Sequence, residues 1–85
     1  MEALVLPRYL LSHHHGAQEC PAAFAAWKGF DSPLRRRPAL ASCTEGGHCL
    51  WWTVEAPGTV DALALLPAYV AERTEVTQVS EVTIP

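Results

Sequence analysis

His13, His14 and His15 stand in a row, Glu19-Cys20 follows shortly after, and Cys43, His48 and Cys49 fall together in a second short stretch. Imidazole and thiolate are borderline-soft donors that suit zinc, nickel or copper. Along an extended segment His13 and His15 point the same way and His14 points opposite. Cys20 precedes Pro21. The residue before a proline avoids the helical region and proline suits the first helical position, so Cys20 is expected as a helix N-cap. There the macrodipole favours a thiolate, which makes Cys20 a ligand or nucleophile and the most reactive of the three cysteines. His48 and Cys49 alternate, so only one of them shares the side of His13 and His15. The expected metal ligands are therefore His13, His15, Cys20 and His48. Cys43 and Cys49 read as packing thiols within strands. Neither CxxC nor HExxH is present, so the case rests on clustering and not on a motif. The competing chemistry is acid/base work by His15 or His48 on an apolar substrate.

Such residues need a scaffold, and 85 residues allow one small domain, 1–85. A hydrophobic fraction of 49% against 18% charged is globular. Six Lys+Arg against nine Asp+Glu leave a net charge of −3, which offers no footprint for nucleic acid or anionic lipid. No apolar run is long enough to span a membrane. The acidic start Met1-Glu2 lacks the basic character of a signal peptide. Three cysteines without an export signal then suggest reduced thiols and a cytoplasmic location.

The first element is expected as a strand from Ala3 to about Ser12, apolar on both faces, with the histidine run as the loop that follows. A helix starts at Cys20, carries Phe24 and Trp27 on one face, and stops at Gly29. Ser32-Pro33 opens a short turn bearing Arg35, Arg36 and Arg37, which reads as a solvated or dimer-rim face able to take an anionic group. Ala39 to Cys43 and His48 to Glu55 are strands joined through Glu45-Gly46-Gly47. The second of these sends Trp51 and Trp52 to opposite faces. A helix follows Pro57-Gly58-Thr59, with Val60, Leu63, Leu66 and Val70 as its buried stripe and a kink at Pro67. Glu75 to Ile84 is the last strand.

The order β-α-β-β-α-β predicts an α+β, ferredoxin-like protomer: a four-stranded antiparallel sheet with two helices on one face. The other face is also apolar, so a homodimer closing two sheets into a barrel-like cavity is expected. In this topology the end of the first strand, the start of the first helix and the hairpin share one edge of the sheet. All four histidines and all three cysteines then gather there.

The arrangement resembles the dimeric α+β barrel superfamily. The stretch Gly47 to Pro85, with Cys49-Leu50, Glu55-Ala56-Pro57, Asp61-Ala62-Leu63 and Glu81-Val82-Thr83-Ile84-Pro85, is similar to small actinobacterial-type ferredoxin-like proteins, some of which bind nickel. The resemblance implies the fold and a bound divalent transition metal. The wider superfamily also includes lactone isomerases and cofactor-free monooxygenases, and one fold hosts many functions. Three functions follow: a small metal-binding protein, a cofactor-free enzyme holding a small apolar ligand between two sheets, and a dimerisation module.

Overall fold

The computed structural model describes residues 5–85. Four strands, β1 (Arg8–His14), β2 (Leu40–Ala41), β3 (Cys49–Glu55) and β4 (Thr74–Val79), form one antiparallel sheet in the order β2-β3-β1-β4. β1 and β2 therefore run parallel with β3 between them, and β3 and β4 run parallel with β1 between them. Three helices, α1 (Cys20–Ala25), α2 (Thr59–Leu63) and α3 (Ala68–Ala71), make the crossovers.

Strand alternation divides the sheet cleanly. Tyr9, Leu11 and Val54 face the helices and form the core with Ala56, Ala62, Leu66 and Val70. Trp52 packs on that core, with its ring centroid 5.8 Å from Trp27. Leu11 is fully buried, so its truncation to alanine costs about 2–5 kcal/mol. The opposite face carries Leu10, Leu40 and Trp51, but Arg8, Ser12, Thr53, Glu55 and Glu75 lie among them in register. It is more polar than the expected continuous apolar surface.

Several expected boundaries move. The strand expected over Ala3 to Ser12 is β1, Arg8–His14, while residues 1–4 lie outside the described residues. His13 and His14 are thus strand residues and not loop. His13 continues the inward alternation of Tyr9 and Leu11, and its backbone pairs with Leu50 and Thr74. Glu19 and not Cys20 is the N-cap of α1, because a 3-10 turn at Ala17–Glu19 runs straight into the helix. Cys20 is its first residue and Pro21 its second. α1 ends early, and the turns beyond it close at Gly29, whose φ of +72° suits glycine.

Cys43 leaves the sheet. β2 stops at Ala41, and Cys43–Glu45 is a 3-10 turn. The Ser42 hydroxyl causes the break by accepting the N–H groups of His48 and Cys49 at 3.3 and 3.1 Å. The second expected helix splits in two at Pro67, which sits extended (ψ 150°) as the N-cap of α3. Its buried side is Ala62, Leu66 and Val70, and Val60 is exposed. β4 ends at Val79, opposite Arg8, the last paired residue of β1, so 80–85 find no strand partner.

Candidate metal centre

Four side chains from three separate segments converge beside the helix-facing side of the sheet. His15 follows the end of β1, Cys20 opens α1, Cys43 opens the 3-10 turn, and His48 precedes β3. One ligand atom from each lies within 4.8 Å of every other. Cys20 Sγ is 3.1 Å from His15 Nε2 and 3.1 Å from His48 Nδ1, and Cys43 Sγ is 3.9 Å from His15 Nε2. A tetrahedral zinc ion with bonds of about 2.0–2.3 Å needs donor-to-donor edges of about 3.3–3.8 Å. The observed spacings straddle that range, so small side-chain adjustments would seat an ion.

Backbone contacts hold the segments together. The His15 N–H donates to the His48 carbonyl at 3.0 Å, and the Gly47 N–H donates to the Ser42 carbonyl at 2.8 Å. His48 itself has φ +148°, a conformation that residues other than glycine rarely adopt. Backbone strain of this kind persists only where the surroundings enforce it, and it concentrates at functional sites.

His13 stands behind His15 rather than in the four-atom group. Its Nδ1 lies 3.2 Å from the Val70 carbonyl, which can only accept, so Nδ1 carries the proton. The Thr74 hydroxyl donates to that same carbonyl at 2.6 Å and leaves its oxygen free to accept from His13 Nδ1 at 3.3 Å. His13 Nε2 is then bare and accepts from His15 Nδ1 at 2.9 Å. That donation leaves His15 Nε2 as a lone pair aimed at the two thiols. A chain of obligatory donors and acceptors thus selects the tautomer of His15 that binds a metal.

The electrostatics agree. Burial holds both His13 and His15 below the usual imidazole range; for His15 the neighbouring His48 adds to the effect, and for His13 the Val70 bond partly opposes it. Both rings are therefore neutral at neutral pH, as ligation requires. Burial, followed by the adjacent Cys20 thiol, pushes the Cys43 thiol up. A bound cation reverses that repulsion.

The structure brings together three of the four expected ligands, His15, Cys20 and His48. It gives His13 the supporting position and supplies Cys43 as the fourth member. His14 and Cys49 lie on the far face of the sheet, 3.3 Å apart. Glu19 stands outside the group and clasps the Gly16 N–H, the Tyr69 hydroxyl and Arg73 Nε at 2.8–2.9 Å. These three donors hold its carboxyl down to about 2. Cys43 was legible in one signal: His15 to Cys20 and Cys43 to His48 share a spacing of four intervening residues, within the range of paired zinc ligands. The second pair spans Gly46-Gly47, where the chain reverses.

No protein-family model, no curated protein and no solved structure matches the chain.

Proposed function

We propose that this protein binds one divalent transition metal through His15, Cys20, Cys43 and His48, and that zinc is the ion the donor set fits best. The observation that carries this is the convergence of four soft-to-borderline ligand atoms within 4.8 Å. Two thiolates and two imidazoles in a near-tetrahedral group favour zinc, with nickel and copper as the competing ions. Four protein donors leave no open coordination position, which is the pattern of a structural or metal-holding site and not of a catalytic one. This also argues against an acid/base role for His15 or His48, since both side chains are committed to the group.

The ion would tie the end of β1, the start of α1 and the β2–β3 connection to one point. An 85-residue chain with a two-residue β2 gains from such a staple, because metal affinity becomes folding free energy. The ferredoxin-like reading belongs to this proposal. It is supported by β3 lying between parallel β1 and β2, and by β1 lying between parallel β3 and β4. A homodimer through the outer sheet face rests on Leu10, Leu40 and Trp51.

Elemental analysis of the untagged protein, followed by cobalt substitution, tests the site. One equivalent of metal per chain is expected, with the visible spectrum of tetrahedral cobalt and thiolate-to-cobalt charge transfer. Cys43→Ser should abolish the intensity contributed by its sulfur. Metal-free protein that takes up no cobalt, or a Cys43→Ser spectrum identical to the parent's, refutes the assignment.

A further inference from the structure

A second feature, separate from the metal group, lies on the same side of the sheet. A cavity of about 300 Å³ opens between α1, the loop over 30–39 and the inner side of β3. Its lining combines aromatic and aliphatic side chains, among them Phe24, Trp27 and Trp52, with the three consecutive arginines Arg35, Arg36 and Arg37. It exists because β2 is only two residues long, which leaves this flank of β3 covered by loop instead of strand. Such a volume sits at the small end of the range for small-molecule sites, about 300–1,000 Å³, and the mix of apolar walls with a few charged groups is typical of them.

The charges are the informative part. The chain has six Lys+Arg. Arg8 is paired with Glu55 and Glu81, and Arg73 with Glu19 and Glu72. Arg35 donates to the Phe30 carbonyl at 3.3 Å. Lys28, Arg35, Arg36 and Arg37 form no ion pair among the described residues, although the chain as a whole is acidic, and the three arginines of this set line the cavity. Arg36 also has φ +65°, a left-handed conformation that suits glycine and strains an arginine. A strained residue that carries a free guanidinium to the mouth of an aromatic cavity calls for a role. Meanwhile Phe24 stays 57% exposed at the same opening, an apolar surface that a ligand would cover.

We infer that this cavity binds a small planar aromatic carboxylate, its ring against Trp27, Trp52 and Phe24 and its anionic group held by Arg36 and Arg37. Guanidinium matches a carboxylate in a two-point fork, and indole faces match a flat ring. This site uses none of the four metal ligands, so it stands whether or not the metal assignment does.

Calorimetric titration of the whole chain with 2-naphthoate and with its neutral analogue 2-naphthalenemethanol tests the inference. One naphthoate per chain is expected, with the alcohol weaker by at least about tenfold, because it forgoes charge-assisted hydrogen bonds. Arg36→Gly should keep or raise the melting temperature, since glycine suits that backbone, yet weaken naphthoate by about tenfold. Arg37→Gln, at a position without a strained φ, should weaken it in the same sense. Absence of naphthoate binding, equal affinity for the two probes, or unchanged affinity in both variants overturns it.

Discussion

His13→Leu is the most incisive single change to the metal centre, because it replaces no proposed ligand and acts only through the bond to His15. His13 is 1% exposed and leucine is of similar size, so the neighbouring packing against Trp52 survives. Three hydrogen bonds are lost, to the Val70 carbonyl, the Thr74 hydroxyl and His15. On one side the Val70 carbonyl keeps the Thr74 hydroxyl at 2.6 Å, so it is not orphaned. On the other, the Nδ1–H of buried His15 loses its acceptor at 2.9 Å. A buried donor left without a partner costs about 1–3 kcal/mol, and loss of a group that orients a metal-binding histidine typically costs about 10–100-fold in affinity. The two magnitudes agree, since about 1.4 kcal/mol corresponds to each factor of ten. Zinc affinity, measured by competition with a chromogenic chelator at pH 7.5, should therefore fall about 10–100-fold. His13→Gln places an amide oxygen near the former Nε2 and should recover most of that loss. Unchanged affinity in His13→Leu, or complete loss of zinc binding, would refute the relay.

Three further outcomes follow from the geometry. Glu19 has an ordinary value of 4.5 and is held at about 2, so its contribution to stability is complete above 4.5 and disappears as pH falls towards 2; acid titration followed by circular dichroism should show a shallower loss across that window in Glu19→Gln than in the parent. Gly47→Ala would bring its Cβ within 2.7 Å of Ser42 Cβ, so it should displace the hydroxyl that anchors His48 and lower both melting temperature and zinc affinity, whereas Gly46→Ala meets no atom within 4 Å and should show only the cost of its φ of +88°. Light scattering at micromolar concentration should report a dimer that Trp51→Glu splits into folded monomers, and a wild-type monomer would remove the sheet-face pairing.

The periodic segments were legible because their apolar residues alternate or recur at helical spacing. β3, α1 and the pair α2 and α3 lie within their expected stretches, and β1 overlaps its own but runs two residues further, through His13 and His14. The boundaries that moved did so for reasons beyond the local pattern. Pro67 permits either a kinked helix or two helices, and the packing of Leu66 and Val70 on the sheet accompanies the split. The end of β4 depends on where β1 stops offering partners. The exclusion of Cys43 from β2 depends on one serine hydroxyl bonding across the turn.

Residue types alone determine that this protein carries imidazole and thiol donors in two short stretches, with the alternation that sends His14 away from His13 and His15. Only the tertiary structure decides which of those donors meet. His13 and not Cys43 stands outside the four-atom group, because a ligand set is defined by distances of a few ångströms between distant segments, and local spacing pairs His15 with Cys20 and Cys43 with His48 without saying that the two pairs meet. Once β1 lies between β3 and β4, His13 is held by Val70 and Thr74 from the α3–β4 side. Its ring can then reach only His15. The tight Ser42 turn swings Cys43 out of the sheet and towards Cys20, where the two thiols and two imidazoles share one small volume.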